Sequence, residues 1–202
     1  MKLILMTRPT FFVEEDKILT ALFEEGLENV HLFKPQSDPV YSERLLTLIP
    51  DDYYKRITVH EHFYLREEYG LRGIHLENST DVLPYGYRGQ VSRTCTSFEN
   101  LREAKKNSKY VFLKSIFDSH SNPLDRQSFS KEELTDASRK GLIDRHVYAL
   151  GGICLDNIRM MDDLGFGGVV VCGDLWNRFN IHQGRDFKDL IAHFKKLQRA
   201  LG

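Results

Sequence analysis

Two glycine-ended apolar runs late in the chain define the first chemistry it can do. One is His146–Leu150, followed by Gly151-Gly152; the other is Val169-Val170-Val171, followed by Cys172-Gly173. Glycine lets an anion approach backbone N–H groups with no Cβ in the way, and a short helix after the second run would aim its positive end at the same point. The pattern predicts a phosphorylated small-molecule ligand. Other reactive side chains fall at the ends of earlier strand-like runs: Arg8, His31 and Lys34, His60-Glu61-His62, His75 and Glu77, Thr94-Cys95-Thr96, and Lys114-Ser115. Lys34 and Lys114 would supply point charges to a phosphate or pyrophosphate.

The triplet His60-Glu61-His62 invites a metal reading. Along a strand, residues 60 and 62 share a face, and zinc would need a third ligand such as His75 or Glu77. The spacing matches no zinc signature. Oxygen ligation of magnesium through Glu61, shared with substrate phosphates, fits better, because magnesium commonly takes only one or two carboxylates. No organic cofactor is indicated. Cys95 and Cys172 have no base nearby in sequence and read as small buried apolar residues.

These residues need a scaffold that brings strand ends to one rim. Strand-like runs recur at Lys2–Thr7, Asn29–Phe33, Arg56–His60, Gly73–Leu76, Gln90–Cys95, Tyr110–Ile116, His146–Leu150 and Gly168–Cys172. Several are continuously apolar, as strands covered on both faces are. Helical patterns separate most of them. Ser130 and Glu133 have capping-box spacing, Asp156 is placed to cap the helix that Gly165 closes, and Phe187, Leu190, Ile191, Phe194 and Leu197 form an amphipathic stripe. Only the stretch after Gly73–Leu76, NSTDVLPYGYRGQ, lacks a helical period. The pattern predicts a single-domain α/β chain over residues 1–202, a compact (β/α)8 TIM barrel with a degenerate fourth helix. An open doubly wound sheet is the rival, but the first turn, Thr7-Arg8-Pro9-Thr10, has no glycine-rich fingerprint. The polar loop 118–129 after the sixth strand is a candidate lid.

The chain has 202 residues and a formal net charge of -1, with 28 basic against 29 acidic side chains. That balance argues against nucleic acid or a membrane surface as partner. Arg8-Pro9 stands where a leader would need small residues, so the N-terminus reads as a first strand. Three cysteines with no CxxC pair indicate neither a disulfide framework nor a zinc knuckle, and a cytoplasmic location is expected.

Taken together, these pieces resemble the thiamin phosphate synthase/TenI family of barrels. The segment Ala149 to Val171 is similar to AIGGI…GAxGVAVVS, Gly73–Asn78 to GVHLGQ, Tyr110–Ser121 to YVxxGPIFPTxT, and Ser92–Ala104 to the GRSVHSLEEA pattern of the TenI branch. The resemblance implies transfer of a hydroxymethylpyrimidine from its pyrophosphate to a thiazole phosphate, with magnesium, in a barrel of a kind that often pairs as a homodimer. It places the thiazole phosphate on Gly151, Gly152, Val171 and Cys172, with Ser119 in the adjoining loop. Other positions depart from the pattern. The QLRxK motif falls on His31-Leu32-Phe33-Lys34-Pro35, so its arginine is Phe33 and Lys34 must substitute for its lysine. The Asn-Asp pair near magnesium falls on His60-Glu61, and the second carboxylate falls near Thr80, beside Asp81. The lysine of the sixth loop falls on Asn122, and the TenI proton-moving histidine falls on Thr96. Lys34, Glu61 and Lys114 are therefore the expected catalytic set, with Arg8, His31, His60, Thr94 and Thr96 around the substrates. The alternatives are a tautomerase using His31, His60 or His75, and a non-catalytic binder of thiazole or thiamin phosphate.

Overall fold

Eight short parallel strands close into a barrel in sequence order: β1 Lys2–Met6, β2 Val30–Leu32, β3 Ile57–Val59, β4 Gly73–Leu76, β5 Gln90–Cys95, β6 Tyr110–Lys114, β7 Val147–Leu150 and β8 Gly168–Val171. The ring is completed by β8 on β1, with Leu3 opposite Val169 and Leu5 opposite Val171. A computed structural model describes residues 1–180 and 186–202. All eight expected strands are present, each within the run read from sequence.

The helices are α1 Glu15–Glu24, α2 Pro39–Leu48, α3 Tyr64–Glu68, α4 Leu101–Lys106, α5 Lys131–Arg139, α6 Ile158–Asp163, α7 Gly173–Trp176 and α8 Lys188–Ala200. No helix separates β4 from β5, as the turn-rich sequence there predicts. The Ser130/Glu133 capping box forms, and Gly165 closes α6 at φ +81°. The expected cap by Asp156 does not form. Asn157 occupies the N-cap position, and its side chain instead accepts from Cys154 N–H and donates to the Gly152 carbonyl at 2.8 Å. Among the described residues, no helix is long and apolar enough to cross a membrane.

Alternation along each strand separates two layers. Leu5, Val30, Val59, Ile74, Val111 and Val169 pack outward against α-helical residues such as Ile18, Leu22, Phe194 and Leu197. The inward positions split by side. Ile4, Tyr110, Phe112, Tyr148 and Val170 make an apolar cluster, with Met6 and Leu150 against it. The inward positions of β2 to β5 are polar and buried: His31, Thr58, His75, Ser92 and Thr94. Barrel interiors are ordinarily filled by bulky branched residues. Polar groups inside one must find hydrogen-bond partners, since each unpaired one costs roughly 1–3 kcal/mol.

Candidate active site

A cavity of about 540 Å³ opens at the C-terminal ends of the strands. Its glycine corner comes from β7 and β8: Gly151, Gly152, Cys172 and Gly173 all line it. Gly151 and Gly152 sit at φ +109° and +62°, a region side-chain-bearing residues avoid. The loop after β6 packs on this corner. A Cβ on Gly152 would lie 2.3 Å from the Asp118 carbonyl oxygen, and one on Gly173 would lie 2.8 Å from His120. The two glycine turns are therefore neighbours at one mouth, tied together by the 115–121 segment. Asn157 fixes the first of them through its bond to the Gly152 carbonyl.

Of the expected site residues, Thr94, Lys114, Ser119, Gly151, Gly152, Cys172 and Gly173 line this cavity. Lys114 Nζ lies 3.2 Å from Asp125 of the 118–129 loop. Cys172 is a wall element with an inert thiol: burial pushes its pKa up, as it pushes Cys95 to about 11.

Several others lie elsewhere, for identifiable reasons. Lys34 is not a free charge at the rim. Its ammonium is buried against Glu15 Oε1 at 2.6 Å and donates to the Arg8 and Thr10 carbonyls at 3.0 Å each, using all three protons. Arg8 donates to the carbonyls of Trp176 and Phe179 and covers the Phe12 ring, holding the end of α7. The Val171 side chain packs in the outer core, and period-two alternation puts the Val170 side chain on the cavity wall. Thr96 is exposed beyond β5 and does not line the cavity.

The carboxylates assigned to magnesium are also engaged. Glu61 Oε2 accepts the Lys34 N–H at 2.9 Å, burial raises its pKa, and it is not part of the cavity wall. Asp81 accepts from the backbone and side chain of Asn78. These residues do not form an open oxygen cradle for magnesium.

His31, His60 and His75 bring ring nitrogens within 4.8 Å of one another inside the barrel. Their lone pairs do not converge. His31 Nδ1 meets His60 Nε2 at 2.8 Å and His31 Nε2 meets Tyr110 Oη at 2.7 Å, while His75 is held by Ser92 and Thr94. His60 and His75 stack at 4.3 Å, and His75 stacks on Phe112 at 4.7 Å. His31 and His60 thus stand behind the cavity wall rather than on it. None of the three histidines expected to move a proton in a tautomerase lines the cavity.

Burial holds the His31 and His75 pKa values well below 6.5, so both are neutral in the folded chain. Unfolded, each takes up a proton as pH falls through about 6.5, so the unfolded state binds more protons there and stability drops on acidification. Each group contributes a slope of about 1.4 kcal/mol per pH unit below that point. Urea denaturation at pH 7.5 and 5.5 should show a loss exceeding that of the His31→Gln, His75→Gln double variant measured against its own pH 7.5 value. Equal losses would remove this explanation.

Glu77 is an acidic cavity residue outside the expected catalytic and substrate-binding set. It lines the mouth from the end of β4, across the barrel from β8, and its Oε1 is 2.5 Å from His60 Nδ1. Its position at a strand end is visible in sequence; its partner is not.

Fold and site together define a (β/α)8 barrel with a cavity built on glycine-tipped seventh and eighth strands. No family model matches the chain, and no curated protein does. Solved structures do. A thiamine phosphate pyrophosphorylase from Bacteroides thetaiotaomicron is 50% identical, covering 100% of this chain and 98% of that one, with a TM-score of 0.90. A second of that description, from Pyrococcus furiosus, shares the fold at 18% identity and TM-score 0.71, covering 98% and 94% of the two chains. The chain belongs to the thiamine phosphate pyrophosphorylase family.

Proposed function

We propose that this barrel serves thiamin biosynthesis, joining a hydroxymethylpyrimidine, delivered as its pyrophosphate, to a thiazole phosphate with loss of pyrophosphate. The observation that carries the reading is the glycine corner at Gly151-Gly152 and Cys172-Gly173, shared by one cavity and belonging to a chain half identical to a thiamine phosphate pyrophosphorylase. The thiazole phosphate would sit there, against backbone N–H groups that no Cβ shields. Lys114 is the charge to meet the departing pyrophosphate, which must take the place of Asp125 on its ammonium. Ser119, Ser121 and Asn122 of the same loop supply neutral donors around it. Holding the two rings together converts a bimolecular encounter into an intramolecular one, the main contribution such a site makes.

The test is direct. Purified protein given both substrates and magnesium should release pyrophosphate and form thiamin monophosphate in equal amounts, and Lys114→Met should lower kcat at least about tenfold through lost charge stabilisation. Ligand binding without pyrophosphate release would leave the non-catalytic binder in its place.

A further inference from the structure

Part of the polar barrel interior, from Thr58 to Glu77, is one hydrogen-bonded chain. Its direction is set from the cavity end, where the Glu77 carboxylate can only accept. At the inner end Thr58 donates to Asn29 Oδ1 at 3.1 Å, and Asn29 Nδ2 donates to Tyr110 Oη at 2.9 Å. The Tyr110 hydroxyl, which also lies beside the Ser92 and Thr58 side chains, can then donate to His31 Nε2. His31 therefore carries its proton on Nδ1 and donates to His60 Nε2. His60 in turn carries its proton on Nδ1 and donates to Glu77 Oε1. A carboxylate, which only accepts, closes the series at the cavity and gives it this polarity.

Glu77 is thereby held as a one-sided group. One oxygen is locked on His60, and the side chain is 49% exposed in the cavity wall. Among the described residues, Oε2 accepts no hydrogen bond. We infer that Glu77 is the specificity-determining residue of the cavity, reading an N–H donor on a nitrogen heterocycle, such as the exocyclic amino group of an aminopyrimidine, through Oε2. The inference deepens the pyrimidine-transfer function proposed above and rests on it for the identity of the heterocycle. It assigns work to a half of the site that the phosphate corner leaves empty, since β4 lies opposite β8 in the ring.

The ordered chain makes a specific demand of the Glu77→Gln variant. With His60 keeping its N–H at Nδ1, the state ring ¹⁵N NMR reads, the glutamine turns its carbonyl oxygen to His60. Its NH₂ then replaces Oε2 in the cavity, and an acceptor becomes a donor. Two probes suffice: a 4-aminopyrimidine bearing a phosphomethyl arm, and its 4-oxo counterpart, each titrated by calorimetry. The natural chain should bind the amino probe at least about tenfold more tightly than the oxo probe, because the carboxylate oxygen meets an N–H donor in the first and a carbonyl acceptor in the second. Glu77→Gln should invert that order, and Glu77→Ala should abolish it. Ring ¹⁵N NMR should show His60 protonated at Nδ1 in both the natural chain and Glu77→Gln. Equal affinities in the natural chain, failure to bind either probe, or an unchanged preference in a folded Glu77→Gln would each overturn the inference. The comparison needs no turnover, so it fails separately from the pyrophosphate-release assay.

Discussion

Replacing Lys34 by methionine should destabilise the chain by about 3–5 kcal/mol, the usual cost of removing one partner of a buried ion pair. Lys34 and Glu15 are 0% and 1% exposed, so no water stands ready to take over the carboxylate. Glu15 Oε2 already has no hydrogen-bond partner, which leaves the ammonium as the main compensation for a buried charge. The Arg8 and Thr10 carbonyls would lose their donor at the same time. Burial raises the Glu15 pKa even with Lys34 present. In the variant the folded chain would hold the Glu15 proton to higher pH than the unfolded chain does, so stability falls as pH rises. Urea denaturation should therefore show a larger deficit at pH 8 than at pH 5. Glu15→Gln combined with Lys34→Met should recover part of the loss. A Lys34→Met variant within 1 kcal/mol of the natural chain at pH 8 would refute the account, and would return Lys34 to the list of possible substrate contacts.

Gly152→Ala is expected to damage the site more than the fold. At φ +62° an alanine pays about 1–2 kcal/mol in the left-handed region. Its Cβ would also stand 2.3 Å from the Asp118 oxygen and 2.7 Å from the Phe117 Cβ. Backbone cannot yield there without moving the loop that carries Ser119, Asn122 and Asp125. A displacement on the order of 1 Å at such positions commonly costs about a hundredfold in rate. The expected result is a kcat/KM loss of that size with a melting point only a few degrees lower. Gly141→Ala, at φ +67° with open space around its Cβ and far from the cavity, is the control for the backbone term alone. Equal kinetic losses in the two variants would sink the proposed role of the Gly152 corner.

Much of the architecture was legible in the residues themselves. Eight apolar runs, a helical period between most of them, and glycine pairs at the last two turns are local signals, and local signals fix strands, helices and their order. They also fix which face of a strand an alternate residue takes: parity puts Val170 inward once Val169 packs outward. The glycine corner followed for the same reason, because a positive φ and a missing Cβ are properties of the residue.

What the side chains do once the ring has closed was decided only by the tertiary structure. Lys34 and Arg8 stand at strand ends, where sequence gives a cation no reason to turn inward or outward. The buried Glu15 captures the first, and the carbonyls of Trp176 and Phe179 capture the second, from residues distant in the chain. His31, His60 and Tyr110 are separated by as many as 79 positions, and nothing local foretells that they share a proton-ordered chain ending in Glu77. Secondary structure is written in short-range periodicity, whereas the partner of a polar group inside a closed barrel is set by which strands the ring brings together.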